Sequence, residues 1–293
     1  MQFEVTHHTR YLYPDGISLS HHVALVIPRV LPNQQLTWSE LEIEPTPAII
    51  RERNDHFGNR ATYFAVEGVH RALTLAARSR VTVAPPGVSA ATSTPPWEIV
   101  GTTFRHDNRG HWSEAEFIHD SPLIQRKPDR TDYARESFPA GRPLLEGVLA
   151  LTRQIHRDFT FDPTATTVAT PLDTVFHMRR GVCQDFAHLL IGCLRSLDLP
   201  ARYVSGYIET LAPPGMDRLM GADVSHAWVS VFIPGTGWVD VDPTNNLLVS
   251  DRHITVAWGR DYSDVSPVRG VVVGSGGHSL EVAVDVVRVG PPL

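Results

Sequence analysis

Three side chains in this sequence have the types and the chain order of a nucleophilic triad. A thiol, Cys183, stands in Gly181-Val182-Cys183-Gln184-Asp185-Phe186. An imidazole, His226, stands in Ser225-His226-Ala227-Trp228. A carboxylate, Asp242, stands in Gly237-Trp238-Val239-Asp240-Val241-Asp242-Pro243-Thr244. The thiolate is the reactive form of cysteine; a free thiol titrates near ~8.5, and a helix N-terminus or a neighbouring imidazolium lowers that value. An imidazole beside the sulfur can take the thiol proton and later deliver it to a leaving group. A carboxylate behind the imidazole fixes its tautomer and stabilises its charged form. The backbone N–H of Cys183 is a candidate oxyanion donor; no side chain stands out in the sequence as the second.

The elements that must position these groups can be read around them. From Val182 the chain is helical by pattern until Asp198-Leu199-Pro200. Val182, Phe186, Leu189, Leu190, Cys193, Leu194 and Leu197 cover an arc of about 140° at 100° per residue, one buried stripe. Cys193 lies near the middle of that stripe and reads as core filler, whereas Cys183 lies in the first turn, where unpaired backbone N–H groups gather. The two cysteines are roughly 15 Å apart along such a helix and cannot bridge each other. In Ser225 to Ile233 the side chains alternate, so His226, Trp228, Ser230 and Phe232 share a face; Trp238, Asp240 and Asp242 share one in the next strand. The loop from Ile233 to Gly237 predicts an antiparallel hairpin that opposes Phe232 to Trp238 and Trp228 to Asp242. His226 and Asp242 then become diagonal neighbours. A loop one residue longer or shorter would separate them onto opposite faces.

The Gly-Val-Cys helix start, the Ser-His-Ala-Trp strand and the Gly-Trp-x-x-Val-Asp-Pro-Thr strand together resemble the transglutaminase-like superfamily, a papain-like thiol fold. The resemblance covers residues 145 to 250 in round terms, and the first 120 residues resemble the N-terminal domain of bacterial transglutaminase-like proteins. It implies Cys183 as nucleophile, His226 as base and Asp242 as orienting carboxylate, with Asp240, two residues away on the same face, as the lesser candidate. It also implies acyl transfer through a thioester, the acceptor being water or an amine. Animal transglutaminases use calcium, but no EF-hand pattern occurs here, and neither metal nor other cofactor is expected.

The rest of the chain reads as support. Runs from Phe3 to Tyr13, Ser18 to Pro28, Gln35 to Glu44, Ala61 to Glu67 and Leu73 to Val83 are β-branched or alternating, with Pro14-Asp15-Gly16 and Phe57-Gly58-Asn59 as turns. A Pro/Ser/Thr-rich loop from Ala84 to Pro96 follows. Helices are predicted from Pro143 to Phe159 and from Thr170 to about Arg179. Strands return from Ala201 to Glu209, and a β-rich tail includes Val271 to Val273 and Leu280 to Val289. Residues 211–224 read as a mobile loop. The pattern is α+β: an N-terminal β-sandwich over 1–125 and then, as the resemblance implies, a papain-like, transglutaminase-like catalytic domain over 126–293 that includes the C-terminal strands.

The composition bounds the partners. The 293 residues are 42% hydrophobic and 20% charged, with a net charge of −6 spread without long runs. That is a globular chain, and its charge speaks against nucleic acid or an anionic membrane. Met1 to Val5 has no basic and apolar leader pattern, and two cysteines make no disulfide framework, so a cytoplasmic protein is expected. Fifteen histidines carry no metal-binding spacing, and His7-His8 and His21-His22 point to opposite faces of any strand. His188, about 140° round the helix from Cys183, reads as a surface residue or one behind the site. Gln184 and Asp185 either shape the pocket or serve the helix surface, with Arg179 or Arg180 as ion partners. Trp228 and Trp238 either line the cleft or pack on the core; Tyr207 and Tyr262 are unassigned. The expected function is thiol-dependent hydrolysis of a peptide or protein amide. Its rivals are protein–glutamine transglutaminase activity and a non-catalytic interaction module. The oligomeric state is not legible.

Overall fold

The computed structural model describes residues 1–87, 91–106, 110–209 and 225–290. The loop assigned to 211–224 lies outside them. The chain begins with four strands, β1 (Gln2–Ala24), β2 (Gln34–Glu44), β3 (Ile49–Asn54) and β4 (Arg60–Val83). Helices α1 (Trp97–His106), α2 (Trp112–Ala115), α3 (Pro128–Arg135) and α4 (Leu144–Asp158) follow. Next come β5 (Thr160–Phe161), α5 (Leu172–Met178), β6 (Arg180–Gly181) and α6 (Cys183–Arg195). Strands β7 (Ala201–Ile208), β8 (Ser225–Ile233), β9 (Gly237–Asp242), β10 (Leu247–Leu248) and β11 (His253–Gly259) lead to α7 (Tyr262–Val265), β12 (Val268–Gly274) and β13 (Ser279–Arg288).

β1 and β4 are long, bent strands where the sequence suggests two runs each. Gly16 in β1 and Gly68 in β4 take φ of 76° and 92°, and the β1–β4 register shifts between Leu12 and Ile17. Positive φ costs glycine little, so the Pro-Asp-Gly segment bends the strand instead of ending it. Each half then finds its own partners: β2 and β3 pair with the two ends of β4, and β12 and β13 with the two ends of β1. Tyr13, Ile17 and Ala24 of β1 pack with Phe64, Val66, Leu73 and Leu75 of β4 in a separate small core. The two long strands thus join all six into one sheet. The C-terminal strands, read from sequence as part of the catalytic domain, complete this first sheet.

The helical half starts earlier than the sequence suggests, because α1 opens at Trp97, inside the stretch read as β-rich. A second sheet, ordered β10-β9-β8-β7-β11, carries α6 on one face. α6 is not a one-sided helix: every residue from Gln184 to Arg195 is buried. The sheet covers one side, while α3, α4 and α5 cover the rest. His188 is therefore interior, 5% exposed, and accepts a hydrogen bond from the Tyr262 N–H at 3.2 Å. Polar contacts lock the two sheets together. Tyr207 Oη meets His7 Nδ1 at 2.9 Å, and the Gln34 side chain exchanges two bonds of 2.8 Å with the Thr255 backbone. Among the described residues no helix is long and apolar enough to cross a membrane.

Candidate active site

The start of α6 is built around Gly181. The Asp185 carboxylate accepts the Val182 N–H at 2.8 Å, the third-residue half of a capping box, and the Thr166 hydroxyl at 2.6 Å. A Cβ on residue 181 would lie 2.5 Å from Asp185 Oδ2. Glycine is there to admit the carboxylate that caps the helix, and Asp185 serves this turn rather than Arg179 or Arg180. The parallel pair β5–β6 fixes the approach, joining Thr160-Phe161 to Arg180-Gly181. Gly181→Ala should displace Asp185 and cost about 1–2 kcal/mol of stability, the size of a lost cap; a melting temperature unchanged from wild type would count against this role.

The hairpin has the register read from its five-residue loop: Phe232 pairs with Trp238, Ser230 with Asp240, and Val229 with Val241. His226 and Asp242 meet on one face, Nε2 to Oδ2 at 2.7 Å. Asp242 is fully buried and accepts further bonds. Its Oδ1 takes the N–H groups of Thr244 and Asn245 at 2.9 and 3.1 Å; Oδ2 takes the Asn245 amide at 2.7 Å and His253 Nε2 at 3.2 Å. Pro243 has no N–H to offer, so the Asp-Pro-Thr turn presents the next two amides to the carboxylate, an Asx-type turn. Burial pushes the Asp242 carboxyl up, but the His226, His253 and Asn245 bonds hold it far below the usual carboxylate range.

His226 faces Cys183 with its other side. Nε2 is committed to Asp242, which leaves Nδ1 to serve the thiol, and the Cys183 side chain lies near enough to act on the ring's charge. Burial opposes charge on His226, yet the bond to Asp242 and the influence of Asp242 and Cys183 raise its pKa to about 10. Cys183 is partly exposed at the first turn of α6, while Cys193 is fully buried and its thiol is pushed up to about 12 by that burial. Cys183, His226 and Asp242 are thus brought together. Asp240 shares the face but accepts the Trp228 indole N–H at 3.0 Å and so supports the wall rather than the imidazole. Trp228 is fully buried against His253, with ring centroids 5.3 Å apart.

His253 is the residue the sequence did not single out. It lies in β11, on the far side of β7, and is 2% exposed. Its Nδ1 accepts the Ser250 N–H at 3.4 Å, which assigns the ring proton to Nε2 and makes it a donor to Asp242. An alternating run with two polar residues, His253 and Thr255 in His253-Ile254-Thr255-Val256-Ala257, was the available signal. His226, Asp242 and His253 also place three potential ligand atoms within 4.8 Å of one another. Two imidazole nitrogens meet one carboxylate oxygen at 2.7 and 3.2 Å, which is hydrogen-bond spacing. Tetrahedral zinc ligands stand about 3.3 Å apart, each about 2.0–2.1 Å from the ion. The arrangement therefore fits a proton network better than a metal centre. His253→Leu should lower turnover by about 10–100-fold, in line with loss of a group that orients the one behind the reacting atoms; full activity in that variant would remove His253 from the network.

Comparison with known proteins gives the family. Residues 131–243 match the transglutaminase-like superfamily, and residues 3–82 match the bacterial transglutaminase-like N-terminal region. An uncharacterized Mycobacterium tuberculosis protein is 40% identical over 98% of this chain and 92% of its own length. The chain belongs to the transglutaminase-like superfamily. A Pseudomonas aeruginosa member named protein-glutamine gamma-glutamyltransferase is 31% identical over 47% of this chain but only 20% of its own length. The solved structure of a proposed cysteine protease from Cytophaga hutchinsonii superposes with a TM-score of 0.75, covering 100% of this chain and 92% of that one. At 20% identity that likeness is one of fold. Cys183, His226 and Asp242 all lie inside the matched region.

Proposed function

We propose that the chain is a thiol-dependent acyl-transfer enzyme that hydrolyses peptide or protein amides. The observation that carries this reading is one imidazole, held at 2.7 Å by a buried carboxylate and placed within the electrostatic reach of a partly exposed thiol at a helix N-terminus. The Cys183 sulfur attacks the amide carbonyl and forms a tetrahedral oxyanion, for which the Cys183 N–H is the candidate donor. His226 gives its proton to the departing nitrogen, the C–N bond breaks, and a thioester remains. Water then surrenders a proton to His226 and releases the acid. Asp242 keeps the ring oriented and its charged form favourable throughout.

Water is the favoured acceptor because it is always present; crosslinking needs a site that excludes water and admits a particular amine. The relationship to a named gamma-glutamyltransferase supports the second reading, in which an amine takes the acyl group. The two readings separate in one assay. A glutamine-donor protein is incubated with the chain and monodansylcadaverine while free ammonia is measured. Ammonia without dansyl incorporation is expected; incorporation would replace hydrolysis by transfer. Cys183→Ala should abolish both, and a variant with full turnover would sink the thiol mechanism. Iodoacetamide should modify Cys183 and leave Cys193 intact, since only the former reaches solvent.

A further inference from the structure

A second concave site lies well away from the thiol, where the first sheet meets the second. Phe57 comes from the β3–β4 turn, Trp112 and Phe117 from the α2 segment, and Arg202, Trp238 and Trp258 from the second sheet. Together they line a cavity of about 510 Å³, within the range of roughly 300–1,000 Å³ of small-molecule sites. Arg202 is its unusual member. The residue is only 8% exposed, and its guanidinium lies 4.0 Å from the centroid of Trp238 and 3.7 Å from that of Trp258. Its Nε is buried without a partner, and no described residue accepts a hydrogen bond from the guanidinium.

The neighbouring Arg29 provides the contrast. It stands on the same indole, 3.5 Å from the Trp258 centroid, but donates to the Phe57 carbonyl at 3.3 Å and to the Asn59 side chain. Arg29 spends donors on the fold, although its Nε too is buried without a partner, whereas Arg202 lies between two rings and donates to no described residue. Burial pulls the Arg202 pKa down to about 9, against the opposing pull of Asp240, so the charge persists at neutral pH. Two acids, Glu114 and Glu116, share the lining, and each is set against a histidine. Asp240 accepts the Trp228 N–H, Glu116 pairs with His56 at 2.8 Å, and Glu114 lies 3.8 Å from His111. A buried guanidinium with free donors suits a carboxylate, which it can bind through two parallel bonds. The surrounding rings suit a flat apolar body.

We propose that this cavity binds a carboxylate carried on a flat apolar group, with Arg202 clamping the carboxylate and the aromatic walls enclosing the rest. The site is separate from the thiol. Gly206 pairs with His226 and Arg202 with Ser230, so the two centres are four residues, about 13 Å, apart along the strands. Fully buried Trp228 stands between them. The proposal does not depend on any catalytic assignment.

Calorimetric titration of the full chain with benzoate tests it, with benzamide as the uncharged ring and acetate as the carboxylate without a ring. Benzoate should bind saturably, and benzamide and acetate at least tenfold more weakly. Arg202→Met should weaken benzoate at least tenfold. Trp112, 70% exposed, can be changed to Ala without disturbing the core, and should weaken benzoate severalfold. Should Arg202→Met fail to fold, the benzoate–benzamide contrast in the wild type decides alone. Absence of saturable benzoate binding, equal binding of benzamide, or undiminished binding to folded Arg202→Met would each overturn the proposal. Adding N-acetylphenylalanine identifies the source: tighter binding than benzoate points to the carboxyl end of a peptide, weaker binding to a free aromatic acid. Repeating the titrations in Cys183→Ala keeps the result independent of turnover.

Discussion

Asp242→Asn should lower amide turnover by about 10³–10⁴-fold, the scale seen when a triad imidazole loses its orienting carboxylate. The substitution keeps size and shape, so the cause is electronic. Oδ2 of Asp242 faces donors from His226, His253 and Asn245. An amide nitrogen in that place would present donors to donors. His226 can then meet the amide only by accepting at Nε2, which puts its proton on the side facing Cys183 and removes its capacity as a base there. Charge follows the same path. Burial is the largest influence on His226 and acts downward; the Asp242 and Cys183 contacts outweigh it and hold the pKa at about 10. Without the carboxylate, burial dominates, and imidazole NMR should find the proton released several pH units lower. A His226 titration unchanged in the variant, with turnover within tenfold of wild type, would refute the assignment.

The same pair sets a pH window for stability. His226 titrates near 6.5 when unfolded and near 10 when folded. Its contribution is therefore complete below about 6.5 and is lost as pH rises through 10. Asp242 works in the opposite sense, stabilising above about 3.9 and losing that contribution as pH falls through its depressed folded value. Wild type should lose melting temperature between pH 7 and 10, and Asp242→Asn should lose less over the same interval.

How far the sequence reveals these arrangements depends on the range of the contacts. The hairpin was legible because strand alternation and loop length together fix register, and a slip of one residue would have parted His226 from Asp242. The helix start was legible because Gly-Val-Cys and Asp185 are local to one turn. His253 was not, since β11 reaches the site by pairing with β7, across more than forty residues of chain. The pairing of β12 and β13 with β1 is more distant still, and nothing local in either strand names its partner. The surface alternative for His188 fell for a different reason. A stripe calculation assumes that one side of a helix faces water, and α6 has no such side. Buried charge escapes the sequence for a related reason: composition puts arginine at the surface, and only coordinates reveal which one has been given enough acceptors to sit inside.

Arg195 is that case, and removing its head group should be the most damaging single change outside the site. The residue is fully buried at the C-terminal end of α6. Its guanidinium donates to the carbonyls of Phe117, His119, Ala201 and Arg260 and to the Ser121 hydroxyl. Three separate segments, around 117–121, at Ala201 and at Arg260, are tied to one helix end by that side chain. Burial lowers its pKa to about 10, with Asp261 pulling upward, so it remains charged in the working range. Arg195→Met keeps most of the volume and removes every donor. Each buried acceptor left without a partner costs about 1–3 kcal/mol, and an unpaired buried charge such as Asp261 adds to this. Relaxation and entering water recover part of the sum, so a net loss of about 3–5 kcal/mol is expected, the scale for breaking a buried ionic network. At roughly 2–4 °C per kcal/mol for chains of comparable length, the melting temperature should fall by about 10 °C. Turnover measured well below that temperature should stay within about twofold of wild type, because Arg195 lies twelve residues, about 18 Å, along the helix from Cys183. A stable Arg195→Met protein would mean that the carbonyls find water instead; a stable but inactive one would mean that the far end of α6 positions the thiol.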